Sequence, residues 1–397
     1  MPTIRNMLPP EMNPVREAAL RALGPVKPID SGTRAHQTFL FDGKRSDAGR
    51  QLPPYYLVYF LLVDLLGFRN LGQFEKISWS VPIDYHGKAF LVEHRKFGVG
   101  VFVQEPAQDE KAAREIVIRI QKAVKAASPF FDWMADQAVA ASAVNVVNNS
   151  FALFERYNYF REKLQSKIDE AELRKDERLI KEHASPLGSR WGSISFPAVP
   201  LLTEANWLAM SAIEAFFSWT EHTLIHLSVL SGKAVTASEI TSLAEADWAH
   251  KFKSALDITE PDIKRSYDAL MAMRKELRNY IAHGAFGKQG EAFMFHSGAG
   301  AVPVLLPHRI GSKRFTLGHG LDFDSTVALS TIDTFIALLW SGPRTPAKIY
   351  IQDSHLPIIL TMASDGTYAR AMASVEDMSE FVEHLTGRFD QAANMDW

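Results

Sequence analysis

Cysteine is absent from all 397 residues. That excludes a disulfide framework and any thiolate metal site. Long apolar runs are also missing. The richest, "YYLVYFLLVDLLGF" at 55–68, falls short of the roughly 20 residues that span a bilayer and contains Asp64, so it reads as a buried helix. The opening stretch, MPTIRNMLPPEMNPVREAAL, has no basic segment followed by an apolar one, and no secretory signal is expected. Charge of one sign is lacking too. Lys and Arg number 43 against 46 Asp and Glu, a formal net of −3, so no overall field draws in nucleic acid and any such contact must be local. These absences fit a cytoplasmic protein with no membrane partner.

What is present is the composition of a folded protein, with 47% hydrophobic and 22% charged residues. The length suits two or three units. Residues 1–54 are rich in Pro, Gly and charge and read as an irregular N-terminal arm. Residues 55–127 form a small α+β region: "ISWSVPIDYHGKAFLVEHRKFGVGVFVQE" predicts antiparallel strands, and a helix follows at about 108–127. From 128 to 185 the pattern is helical throughout, ending in "REKLQSKIDEAELRKDERLIKEH", whose opposite charges three and four apart mark a solvated helix face. "SPLGSRWGSISFPAVP" at 185–200 reads as a linker.

Helices are predicted next at about 204–231, 238–256 and 261–283, with Thr203 capping the first and Pro261 opening the third. "EAFMFHSGAGAVPVLLP" predicts a β-hairpin inside an insert at about 286–320, and 324–340 a fourth helix. Residues 344–397 read as an α+β extension, with strands in "KIYIQDSHLPIILTM" and "TYARAMAS" and a helix at 375–389. The fold class expected is mainly α with α+β portions.

The sharpest local signal is "ELRNYIAHG" at 276–284. The helix over 261–283 has an apolar stripe of Ile263, Tyr267, Leu270, Met273, Leu277 and Ile281. At about 100° per residue, Arg278, Asn279, Ala282 and His283 share the opposite side. Asn279 and His283 stand at i and i+4, so the amide can orient the imidazole. Gly284 suits the position just past a helix end, which places His283 in the last turn, where the dipole favours imidazolium. A guanidinium beside such an imidazole suits a phosphodiester: one grips two oxygens, the other exchanges a proton near neutral pH.

"RNYIAH" resembles the R-N-x-x-x-H form of the R-x(4–6)-H motif of the HEPN superfamily, helical bundles that include metal-independent ribonucleases of prokaryotic defence and toxin systems. The resemblance covers the motif and the helical context of roughly 200–343. It implies a HEPN-like helical bundle; this sequence departs from a minimal one by the β-hairpin insert after His283 and by the N-terminal α+β region that precedes the bundle. It further implies Arg278 and His283 as catalytic residues, Asn279 as the polar residue after the arginine, RNA as substrate, no cofactor, and a homodimer. An inhibitory or activating partner fits such a system. The alternative is a catalytically silent module of the same fold, acting as regulator or scaffold.

Two supporting features accompany the motif. Glu214, Ser218 and Glu221 form a polar stripe on the apolar helix before it, which either takes Arg278 of the motif helix as its partner or faces water. Lys251, Lys253, Lys264, Arg265, Arg274, Lys275, Arg278 and Lys288 outnumber the nearby acids, and Lys275 lies one turn from Asn279. Other signals are weaker. His222 and His226 have metal-ligand spacing but no third ligand at a recognisable distance, so two partly buried histidines are expected. Asp84, Glu93 and Arg95 or Lys96 only faintly match the Asp…Glu-x-Lys arrangement of metal-dependent nucleases. No metal site is expected.

Overall fold

The structure is a computed structural model. It describes residues 8–184, 190–283, 294–295, 304–305 and 325–395, with the side chains of 184, 190, 191, 278–283 and the two short strands outside the described set. The molecule is mainly helical with a small antiparallel sheet. It divides into two compact units, Met1–Ala141 with Glu383–Trp397, and Ser142–Val382.

The first unit is built on a five-stranded sheet. Its centre is β3 (Ile77–Tyr85), β4 (Lys88–Arg95) and β5 (Gly98–Val103), flanked by β1 (Val26–Pro28) and β2 (Lys44–Arg45) in the order β1-β3-β4-β5-β2. The β3–β4 turn is His86–Gly87, with φ of 54° and 78°, the left-handed pair that a two-residue hairpin loop requires. Alternation then sorts the two faces. Val81, Ile83, Phe90, Val92, Val101 and Val103 point into the main core, against α1 (Asn13–Leu23) and α4 (Pro106–Ala126). The other face carries Ala89, Leu91 and Phe102 under Phe39 of the short α2 (Phe39–Asp42). The run at 55–68 is α3 (Tyr55–Tyr59) continuing as a π-helical turn at Phe60–Leu65, with Val58, Leu61, Leu62 and Leu65 buried. Burial raises the Asp64 carboxyl to about 6.

After α5 (Ser128–Ala140), the second unit opens with β6 (Asn145–Val146) and α6 (Ser150–Leu173), then a hairpin of β7 (Leu179–Ala184) and β8 (Arg190–Ser195). The 33-residue α7 (Ala198–Leu230) packs along α6. Short helices α8 (Ala237–Glu245) and α9 (Trp248–Ala255) lead into α10 (Pro261–His283), which packs on α11 (Ser325–Leu339). Tyr157, Phe216, Trp219, Trp248, Phe252 and Phe335 are fully buried at its centre. Between α10 and α11, β9 (Met294–Phe295) pairs antiparallel with β10 (Val304–Leu305), as the extended apolar runs predict; the remainder of the insert lies outside the described residues. The chain closes through α12 (Thr345–Lys348), a π turn at Ile349–Asp353, β11 (Ile358–Ile359), α13 (Leu360–Ser364), α14 (Thr367–Ala371) and α15 (Val375–Asn394). Among the described residues no single helix is long and apolar enough to cross a membrane.

Several expectations need correction. The described part of the expected irregular arm, residues 8–54, supplies α1 and both edge strands, elements of two to eleven residues too short for periodicity to reveal. The helical pattern to residue 183 stops at Leu173, and 179–184 is a strand. Charge pairing runs past the helix end, with Arg174 bridging Glu170 inside it and Glu177 beyond it at 2.7 Å, so the i,i+3 signal outlasts the helix. The expected linker contains β8. Thr203 lies inside α7, not at its cap, and its hydroxyl bonds the Val199 carbonyl. The predicted helix at 238–256 is two, because Asp247 starts a second by accepting the His250 N–H at 2.8 Å. "TYARAMAS" is helical, and of the first C-terminal strand pattern only Ile358–Ile359 is a strand.

Candidate functional site

α10 forms for the reasons its sequence gives. Pro261 occupies the first turn, Asp262 favours the positive helix end, and Ile263, Leu270, Met273 and Leu277 are buried along one stripe. Tyr267 of that stripe packs on Trp248 and Phe252. The helix ends at His283, so Arg278, Asn279 and His283 occupy its final two turns; their side chains lie outside the described residues.

One turn before the motif the helix is clasped to its neighbours. Arg274 donates to one oxygen of Glu221 on α7 at 2.9 Å, and Lys251 of α9 to the other at 3.1 Å. Glu221 thus has two partners within the described residues; the side chain of Arg278, the partner expected for this stripe, lies outside them. Lys251 is only 5% exposed, so Glu221 is the counter-charge that keeps a buried ammonium tolerable. Arg274 also lies over the Phe217 ring. Glu214, by contrast, faces water, so the polar stripe of α7 is exposed at one end and clasped at the other. Lys275 is exposed on the next position of α10.

Half of the eight basic residues of this stretch are ion-paired among the described residues. Lys251 and Arg274 share Glu221, Lys264 bridges Asp268 at 2.6 Å, and Arg265 pairs with Asp262. Lys253 lies over Tyr267.

The rings of His222 and His226 meet on α7 with centroids 4.1 Å apart and planes tilted by 38°. His222 accepts the Asn149 N–H through Nε2, and the His226 ring nitrogens face the carbonyls of His222 and Val147. Burial pushes His222 down to about 3 and lowers His226 as well. Among the described residues no three His, Asp or Glu side chains are grouped to hold a metal. Asp84 and Glu93 share a face of the sheet, but Glu93 stands opposite Ser80, four residues along β3 from Asp84. At about 3.3 Å per residue this separates the two positions by roughly 13 Å, too far for one ion. Each is otherwise engaged: Asp84 accepts from Thr33 and the Gly87 N–H, Glu93 from Ser80 and Arg95.

That second face of the sheet holds a feature the sequence reading missed. A cavity of about 750 Å³ is lined by Leu40, Phe41, Leu71, Phe74, Glu75, Lys76, Ile77, Ser80, Glu93, Arg95, Lys96 and Phe97. The Arg95 guanidinium stacks on Phe102 at 3.8 Å while gripping Glu93 at 2.7 Å. Beside it Arg45 crosses Gly100, where an added Cβ would come within 2.6 Å of its Nε, and donates to the carbonyls of Phe97 and Val99. Burial, with Arg50 and Arg95 nearby, lowers the pKa of Arg45. Period-2 alternation in "LVEHR" would have turned Glu93 and Arg95 to the same side as Leu91, a signal available beforehand.

No family model, curated protein or solved structure matches the chain.

Proposed function

We propose that the chain is a metal-independent endoribonuclease, acting at the C-terminal end of α10 in a prokaryotic defence or toxin setting. The observation that supports this is the R-N-x-x-x-H spacing over the final turns of a 23-residue helix whose stripe of Leu270, Met273 and Leu277 is buried. In this reading Arg278 holds two phosphate oxygens and stabilises the charge that develops on them. His283 moves the proton: the 2′-hydroxyl loses it on attacking phosphorus, the bond to the 5′-oxygen breaks, and that oxygen takes a proton as it leaves. The products are a 2′,3′-cyclic phosphate and a 5′-hydroxyl. Asn279 orients the imidazole. Glu221 acts at one remove, holding the helix through Arg274, and Lys275 offers a backbone phosphate contact. A homodimer brings two such helices to one RNA.

Purified protein incubated with total RNA in EDTA tests the reading. Cleavage is expected to survive chelation. His283→Ala should slow it by roughly 10²–10⁴, the usual contribution of a general acid or base. Arg278→Lys should also lose most activity, because lysine keeps the charge without the planar fork. Wild-type rates in both folded variants would remove the assignment from α10. Dependence on Mg²⁺ would do the same for the chemistry.

A silent helical module acting as regulator or scaffold is the second reading. The pairing of Lys251, Lys264, Arg265 and Arg274 within the chain favours it, since paired cations release fewer counterions on RNA.

A further inference from the structure

The cavity on the second face of the N-terminal sheet has no part in the α10 chemistry. Its floor combines an acceptor with donors. Glu93 is 1% exposed, and its oxygens take the Ser80 hydroxyl and the Arg95 guanidinium, each at 2.7 Å. A carboxylate offers about four lone-pair sites and a guanidinium five N–H groups, so both retain capacity after meeting each other. Such a floor discriminates. A carboxylate ligand meets repulsion from Glu93, and an alkyl chain strips water from these groups without replacing its bonds. The edge of a neutral heterocycle, with donors beside acceptors, satisfies both.

The walls are aromatic. Phe41 and Phe97 are 84% and 86% exposed, and Phe74 stands with them at the cavity. Apolar rings gathered in the open around a concave site mark a binding surface, and their faces suit a flat ring. At the mouth, Lys76 is held at φ 61° by a tight turn that two backbone bonds between Phe74 and Ile77 close at 2.9 and 3.0 Å. A left-handed lysine is a backbone outlier of the kind that gathers at ligand sites. Lys96, 3.2 Å from the Asn394 amide, stands beside it. Three cations, Lys76, Arg95 and Lys96, stand with two acids, Glu75 and Glu93, among the lining residues, and the two lysines are neighbours at the mouth, the Lys96 N–H donating to the Lys76 carbonyl at 3.1 Å. The volume lies inside the roughly 300–1,000 Å³ of small-molecule sites.

We propose that this cavity binds a nucleoside monophosphate, its base between the phenylalanines with the polar edge on Glu93 and Arg95, and its phosphate at Lys76 and Lys96. The nucleotide is either free or the 5′ end of a strand, and the two sources present the same chemistry.

Calorimetric titration of the full chain with AMP, GMP, CMP, UMP, a 5′-phosphorylated tetranucleotide and decanoate tests it. At least one monophosphate is expected to saturate a single site. Phe97→Ala, an exposed position that leaves the core intact, should weaken it about tenfold or more, the usual loss of a stacking ring. Lys96→Ala should weaken it and flatten its salt dependence. Glu93→Gln should change the order of preference among the bases; if that variant fails to fold by circular dichroism, Phe97→Ala decides. Tighter binding of the tetranucleotide assigns a strand end, and equal or weaker binding assigns the free nucleotide. No monophosphate binding at millimolar concentration, unchanged affinity in Phe97→Ala, or saturation by decanoate instead would overturn the proposal. Binding is read without cleavage, so this result and the ribonuclease assay fail or succeed separately.

Discussion

Glu221 shows what a single side chain does here. It is the only counter-charge the described residues give Lys251, and it ties α10 to α7 through Arg274. Breaking one side of a buried pair is far worse than removing both. Glu221→Gln is therefore expected to destabilise the second unit by about 2 kcal/mol, below the full range for buried pairs because Glu221 keeps some exposure. Glu221→Gln combined with Lys251→Met should recover most of that loss in urea denaturation. The histidine pair gives a pH prediction. An unfolded histidine has a pKa of 6.5, whereas the folded chain holds His222 near 3 and lowers His226. The unfolded state thus binds more protons as the pH falls, so stability is full above about 6.5 and drains away between 6.5 and about 3. The slope is at most about 1.4 kcal/mol per pH unit for each histidine. His222→Gln should flatten that limb of a stability-against-pH curve; an unchanged slope would remove His222 from the account. At this scale the sequence was a fair guide to type. It indicated that the histidines are partly buried, but left open whether the acids of α7 meet a cation or water, because an acidic stripe on an apolar helix suits either; Glu221 meets Lys251 and Arg274, and Glu214 faces water.

Elements were legible where periodicity runs long. The helices of 261–283 and 325–339, the three central strands and the antiparallel pairing of 294–295 with 304–305 follow from stripes and alternation in the sequence. Short or interrupted elements were not. β1, β2 and β11 are two or three residues long and exist only because a neighbouring strand pairs with them. The break between α8 and α9 is decided by side-chain caps rather than by the apolar pattern. Thr236 and Glu239 form a reciprocal capping box, and Asp247 caps the next helix. Asp247→Ala should cost about 1 kcal/mol, the usual worth of such a cap. The loss should appear as faster amide exchange over α9 with little change in β3–β5. Uniform protection across α9 in the variant would mean that Trp248 and Phe252 hold the helix without its cap.

At the level of the whole molecule, the sequence indicated more than one unit and a mainly helical fold. It did not show that residues 383–397 group with the first 141, because that grouping is made by contacts between distant segments. The assembly expected of the chain rests on chemistry. A 2′-hydroxyl attack needs a proton removed on one side of phosphorus and delivered on the other, and one Arg278–His283 face reaches a single side. In the proposed homodimer the second copy would supply the other. The second unit also carries apolar surface suited to such a contact. Val199, Leu202 and Trp207 are exposed at the start of α7, Trp207 by 55%, and Ile180 and Ile194 form an exposed cross-strand pair on the β7–β8 hairpin. A two-stranded hairpin is marginal in water by itself, and each large apolar side chain covered contributes roughly 1.5–3 kcal/mol. Light scattering of the wild-type protein is thus expected to give twice the chain mass. Leu202→Glu with Trp207→Glu should give the chain mass and lose cleavage while Arg278 and His283 stay in place. A wild-type monomer that still cleaves RNA would end the dimer account and require the second proton-transfer group to come from the same chain.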